Sequence, residues 1–363
     1  MVVSGSAWHS EVLTLHDVDD VAPYAADWNR LAMRAKTPFL TFEWLTAWWE
    51  AFGPGRPAWL VLQGADGRLR AGVCFQGIPH GLAGAVNDHA GDWDVVAGDA
   101  LDRVEMWRAI AGSGSRRLVL PQLGEWTESA GVACEVLRSN GYSVVRERGP
   151  LSPYLPLPAT WDALLASVSG NLRWQLRNRK RALEERGEFV VRTSSTESAL
   201  DGDLEEMFRV EASGWKARSR TAILSDSRTQ TLYRRFARRA ARQGWLRLHI
   251  LEVGGEPVAA NYSCVFANRA FLLKTGFDER YAEFSPGFVL LGEALRLSID
   301  EGLTSYEFLG EADIYKTRWT DQIRPRVTVR AYRSTHPEGI YWSRLRPRLK
   351  RARDRVLPDR PAR

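Results

Sequence analysis

Two stretches of this chain can be laid over one another. "WLVLQGADGRLRAGVCFQ" from Trp59 and "WLRLHILEVGGEPVAANYSCVF" from Trp245 both open W-L-x-L, pass a glycine-containing turn and continue as a second alternating run. Apolar residues at every second position mark a strand with one face on a core, so each stretch reads as a β-hairpin. An aromatic helical segment precedes each, "FLTFEWLTAWWEAFG" and "LEEMFRVEASGWKARS", and a helix with a short apolar strand follows each, "LDRVEMWRAI" with "RRLVLP" and "GFVLLGEALRLSIDEG" with "TSYEFLG". Such a chain is confined to a duplicated α/β unit. The expected fold is α/β (α+β), with domains at 1–155 and 156–335 and a basic segment at 336–363.

With 363 residues, 44% apolar and 26% charged, the chain is long enough for two cores and is too apolar for disorder to be the default. Its net charge of +6 is unevenly spread. The final "RLRPRLKRARDRVLPDRPAR" carries 9 Lys/Arg against 2 Asp/Glu, and the first 170 residues carry 13 against 19. The tail therefore supplies more than the whole excess, and it could touch an acidic surface, a membrane face or RNA, or be a solvated helix. No basic, then apolar, export signal opens the chain and no run approaches a membrane span, so the expected location is cytoplasmic. Cys74, Cys134 and Cys264 show no CxxC spacing and read as reduced core thiols. Walker A, G-x-S-x-G and metal-spaced His or Cys clusters are missing from the sequence, so no metal is expected.

The second copy carries the chemistry. Leu246, Leu248 and Ile250 alternate with Arg247 and His249, Gly254-Gly255-Glu256 makes a turn, and "PVAANYSCVFA" and "AFLLKTGF" complete three antiparallel strands around a turn at Asn268-Arg269. After the loop "DERYAEF", a helix begins at Ser285-Pro286-Gly287-Phe288. Pro286 suits its first turn, Ser285 is placed to cap it, and Gly287 keeps bulk away from the open backbone amides, which are fit to hold a phosphate.

These motifs, with "SPYLPLPATWDALLASVSGNLRWQLRNRKRALEERG", "GFDERYAEFSPGFVLLGEALRLSIDEG" and "YEFLGEADIYKTRW", resemble the CelD/BcsL-type acyltransferases over about Pro38 to Arg333. These are tandem GNAT-like proteins related to the Fem peptidyltransferases. The resemblance implies two GNAT-like domains, each a mixed, mostly antiparallel sheet flanked by helices. It implies acetyl-CoA or another acyl-CoA as donor, its diphosphate on the Ser285–Phe288 turn and its pantetheine arm between two splayed strands. The acceptor would be an amine or hydroxyl of a sugar, polysaccharide or cell-envelope precursor, as in exopolysaccharide biosynthesis. "EFSPGF" departs from the commonest GNAT turn, Q/R-x-x-G-x-G/A, which leaves aminoacyl-tRNA, the Fem donor, as the alternative.

Direct transfer requires a positioned amine, a base to take its proton and a donor for the departing thiolate. Tyr315, one strand and a loop beyond the turn, is the expected acid, or else a packed tyrosine. Glu311, Asp313 and Glu211 are the carboxylates weighed as base, with capping the competing role for Asp313. Lys316, one of six lysines, could anchor an acidic acceptor or a phosphate, or else pair with Glu311 or Asp313; Lys216, Trp215 and Trp319 are further candidate acceptor contacts, and Arg173 and Arg177 could grip a diphosphate or tRNA, or belong to a solvated helix face. In the first copy the matching turn region holds Asp88, Asp92, Asp94 and Asp99 and lacks S-P-G, so it is expected to be a scaffold or acceptor wall without donor binding. A non-catalytic binding module remains a further reading. Most of the 15 Trp residues stand in apolar contexts and are expected in cores.

Overall fold

The computed structural model describes residues 11–198, 200–213, 222–341 and 345–346. Its strands in chain order are β1 Glu11–Leu15, β2 Ala58–Gln63, β3 Leu69–Ile78, β4 Gly81–Gly84, β5 Val96–Ala97, β6 Arg117–Gly124, β7 Tyr142–Pro156, β8 Phe189–Ser194, β9 Leu246–Val253, β10 Glu256–Phe266, β11 Arg269–Phe277, β12 Ser305–Glu307 and β13 Ile323–Arg333. Two compact units form, one from 1–32, 53–150 and 325–363, the other from 33–52 and 151–324. The division therefore differs from a single cut at residue 155. The helix Phe42–Phe52 joins the second unit because its aromatic face needs a partner there: Trp44 meets Phe236 edge-on at 4.8 Å, and Phe39 meets Phe271 at 6.1 Å.

In the first unit the order is β1-β2-β3-β4-β6-β13, with only β4 and β6 parallel. Trp59, Trp93 and Trp107 are fully buried, and Trp28 packs edge-on against Trp59 at 5.1 Å. Asp99 caps the helix Ala100–Gly112, and Asp92 pairs with Arg326 at 2.8 Å. Burial pushes the Asp94 carboxyl up to about 6, against the lowering pull of the Ser129 hydroxyl that it accepts.

The second unit runs β7-β12-β11-β10-β9-β8. The hairpin β9–β10 and the strand β11 lie where the alternation placed them, but the β10–β11 turn sits at Ala267 and Asn268, both at positive φ. Helices Leu200–Ala212 and Ser227–Arg242 cover one face, while Gly170–Glu184 and Pro286–Asp300 cover the other. Because both faces are covered, His249 is buried where the alternation alone suggested an outward position. Gly276 lets the helix Leu200–Ala212 cross β11: a Cβ there would lie 2.4 Å from the Glu211 Cα. Gly276→Ala should therefore cost about 1–3 kcal/mol, read as a lower urea midpoint at unchanged m-value.

Cys74, Cys134 and Cys264 are buried and unbridged, and burial raises each thiol above its ordinary value, which disfavours a nucleophilic thiolate. No described helix is long and apolar enough to cross a membrane.

Candidate active site

β11 and β12 are parallel neighbours over three residues only, Arg269 to Phe271 against Ser305 to Glu307. The pairing ends at Phe271 and Glu307, where β12 stops, while β11 continues to Phe277. A bulge sits at the same place: Tyr262 pairs with Lys274 and Ser263 with Leu272, which leaves Leu273 as the extra residue. Such a bulge bends the strand locally and re-aims its side chains.

Beyond the C-terminal end of β11 stands the turn into the helix Pro286–Asp300. Ser285 adopts φ +52°, a left-handed conformation that a non-glycine residue rarely holds. It caps through its backbone, its carbonyl accepting the N–H groups of Phe288 and Val289, and its side chain makes no cap hydrogen bond, in contrast to the sequence expectation. Pro286 occupies the first helical position and is buried. The Gly287 N–H is an amide that the helix itself cannot satisfy. The bare side of Gly287 faces Phe277, whose Cδ1 would be 3.3 Å from an added Cβ. Phe288 packs on Trp319 at 5.9 Å, and the Arg318 guanidinium lies 5.2 Å above the Phe288 ring.

The neighbouring helix Gly170–Glu184 braces this turn with residues the sequence left undistinguished. Arg179 donates to the Glu283 carbonyl, and the Arg186 guanidinium covers Phe284 at 4.5 Å. Arg173, expected to grip a ligand, instead donates to the Leu165 and Val168 carbonyls at 2.8 and 3.0 Å, closing the end of the preceding helix. Arg177 is exposed, as is Trp174 beside it.

After β12 the chain turns through Leu309 and Gly310, at φ +55° and +59°. Lys316 is 5% exposed, and its ammonium donates to the Leu309 and Glu311 carbonyls, both at 2.9 Å, and meets Asp313 Oδ2 at 3.0 Å. An ammonium has three N–H groups, so the expected acceptor contact is fully engaged as a clamp on its own loop. Asp313, expected as base or cap, pairs with Lys316 and makes no side-chain cap bond. Glu311 is exposed on the same loop. Tyr315 is exposed at 39%, and its phenol is raised above the usual tyrosine value, first by desolvation and then by the Asp313 carboxylate.

Glu211 does not share this loop. It is 1% exposed and accepts the Ile223 N–H at 2.9 Å, so it ties the chain back to the helix Leu200–Ala212. Trp319 is 3% exposed in the core with Leu172, Leu176 and Leu295, which removes it from acceptor contact. Trp215 and Lys216 lie outside the described residues, as does the basic tail from residue 347 on. Sequence reasoning missed Glu307, 3% exposed, which accepts two bonds from Arg324 at 2.8 and 3.0 Å. Among the described residues no metal-binding group of side chains gathers.

Residues 170–317 match the family model described as an acetyltransferase (GNAT) domain, and the class of the chain is that of an acyltransferase. Among solved structures the fold is similar to FemX, with TM-score 0.60 and 10% identity over 91% of this chain and 98% of that one. It is also similar to the C-terminal domain (DUF2156) of a putative lysylphosphatidylglycerol synthetase from Agrobacterium fabrum, with TM-score 0.54 and 13% identity over 86% and 92%. L-PGS from Bacillus licheniformis matches with TM-score 0.51 and 12% identity over 85% and 96%. At such identities the likeness is one of fold. Comparison with curated proteins gives no match.

Proposed function

We propose that this chain transfers an acyl group directly from acyl-CoA to an amine or hydroxyl of a sugar, polysaccharide or cell-envelope precursor, in the cytoplasm, as a CelD/BcsL-type enzyme. The observation that carries the reading is that the parallel pairing of β11 and β12 stops after three residues, at Phe271 and Glu307. An extended pantetheine arm would run beside β11 past the end of its pairing with β12, with the diphosphate at the Gly287 amide and the thioester near the bulge at Leu273. Catalysis then rests on placement and on stabilising the departing thiolate. Tyr315 is the hydroxyl assigned to that thiolate, and Glu311, the exposed carboxylate of its loop, is the assigned base for the acceptor, with Asp313 already paired to Lys316.

Calorimetric titration of acetyl-CoA and a longer acyl-CoA tests the donor, with Gly287→Asp alongside. A carboxylate at this turn repels a diphosphate, so the variant should bind at least about tenfold more weakly. Equal affinity in the two proteins would remove the turn from the donor site.

A second reading, transfer from aminoacyl-tRNA, is supported by the fold likeness to FemX and by exposed Arg177 and Trp174 on one helix. It requires salt-sensitive tRNA binding that Arg177→Glu weakens. A folded wild-type protein that binds neither donor would favour a binding module.

A further inference from the structure

The face of β11 turned away from the Pro286–Asp300 helix carries a cation that the donor reading leaves unused. Tyr262 and Lys274 are register partners and so point to one face, and the Tyr262 hydroxyl donates to the Tyr233 carbonyl at 3.0 Å. That face is therefore the one covered by the helix Ser227–Arg242. The Lys274 ammonium lies 5.6 Å from the centroid of the Tyr233 ring, and Tyr233 meets Tyr262 edge-on at 5.2 Å. Two residues further along the strand, on the same face, the Glu211 backbone lies against Gly276.

The rings around Lys274 hold its ammonium without offering it a counter-charge. Burial pushes the Tyr233 and Tyr262 phenols well above the ordinary tyrosine value, so both are neutral. A cation over a neutral ring is attracted and positioned by it, and its charge is left to act on other groups. Glu211 is the carboxylate of this face, its charge adding to the rise at Tyr233, and it also accepts the Ile223 N–H at 2.9 Å. Lys274 is half-buried, so part of its side chain still meets solvent. A compact ammonium on a flexible stem suits a single anionic group.

The place of this cation relates it to the reaction. Lys274 directly follows Leu273, the extra residue of the bulge, and lies past the point where β12 stops. With the diphosphate on the Pro286 helix and the thioester near Leu273, the opposite face of β11 is left to the acceptor. A nucleophile that approaches from there comes in beside Lys274. Lys316, the cation the sequence singled out for an acidic acceptor, is spent on its own loop.

We propose that Lys274 determines acceptor specificity by binding a carboxylate or phosphate carried by the molecule whose amine or hydroxyl is acylated. The inference rests on the donor reading for the position of the thioester. Lys274 takes no part in the proton transfers; it selects and orients the acceptor through its anionic group.

The test is saturation-transfer NMR and calorimetry of the full chain, with and without saturating CoA. Muramic acid and glucosamine 6-phosphate are the acidic probes and glucosamine is the neutral one. At least one acidic probe should bind about tenfold more tightly than glucosamine, and which of them does so separates a carboxylate from a phosphate. Lys274→Met should erase that preference and Lys274→Arg should keep most of it, while acetyl-CoA binds both variants with wild-type affinity. In turnover with acetyl-CoA, the Met variant should raise KM for the preferred acidic acceptor and leave kcat within about twofold. Wild-type protein that binds no acidic probe more tightly than glucosamine would overturn the assignment, as would a preference that survives in Lys274→Met. A Met variant with a lower urea midpoint and an intact preference would make Lys274 a structural counter-charge to Glu211. Failure of the donor reading shows separately, as a wild-type protein that does not bind acetyl-CoA although Lys274→Met still erases the acid preference.

Discussion

Tyr315→Phe should lower kcat by about 10²–10³-fold and kcat/KM with it, while acyl-CoA affinity stays at the wild-type value. Tyr315 stands in the short helix Ile314–Thr317 that follows the loop after β12. Burial and the Asp313 carboxylate raise its pKa above that of a free tyrosine, so at neutral pH it is fully protonated. A phenol this reluctant to ionise acts chiefly by donating a hydrogen bond to charge that appears on the sulfur in the transition state, an interaction absent from the ground-state thioester. Removing it therefore affects turnover and spares binding. The sign of the pH dependence follows. Because the folded pKa is shifted upward, the donor is not lost on the alkaline side, and the rate should stay level to beyond about pH 10, where an unperturbed tyrosine would already be half ionised. The acid limb should report deprotonation of the acceptor or its base. A Phe variant with unchanged kcat would make Tyr315 a packing residue. A wild-type rate that fell near pH 9 in parallel with phenol titration would contradict the raised pKa.

The strands and the helix that frame this site are legible in the sequence because their signals are local. Leu246, Leu248 and Ile250 alternate, Gly254-Gly255 turns the chain, and Pro286 announces a helix start. What covers the other face of a strand is not local, and so His249, on an alternating polar position, gave no sign that it lies in the interior at 5% exposure. The same holds for the partners of charged residues. Glu211 and Gly276 are 65 positions apart in the chain, and only the helix crossing shows that the Glu211 backbone and stem lie against the bare Gly276. Glu307 and Arg324 form a nearly solvent-free pair whose members looked like ordinary surface charges. Ser285 was legible as a turn residue, but its left-handed backbone, which moves the capping role from side chain to carbonyl, depends on the 3₁₀ turn Glu279–Phe284 before it. Spacing rules report which residues share a face. They do not report which backbone carbonyls a side chain will find, and the loop after β12 is organised by such carbonyls.

Lys316→Met separates the two roles that this lysine could have had. An acceptor anchor at the mouth of the site would lose binding on mutation, with KM raised and folding stability unchanged. A clamp would lose stability and turnover together. The geometry supports the clamp: the ammonium is 5% exposed and its three N–H groups serve Leu309 O, Glu311 O and Asp313 Oδ2. Methionine keeps the length of the stem and removes every one of those bonds, leaving two carbonyls of a left-handed turn without their donor. Asp313 is half exposed and can be rehydrated, so the cost is below that of breaking a fully buried pair, about 2–4 kcal/mol, seen as a lower urea midpoint. Leu309 and Gly310 hold positive φ only while something fixes them, since a leucine there is strained, and the turn should relax once the clamp is gone. Tyr315 is carried on the same loop, with its ring 5.3 Å from the ammonium, so kcat should fall toward the level of the Phe variant. The donor turn at Ser285–Phe288 belongs to another helix and should bind acyl-CoA as before. A methionine variant of wild-type stability with only KM changed would restore Lys316 to the acceptor.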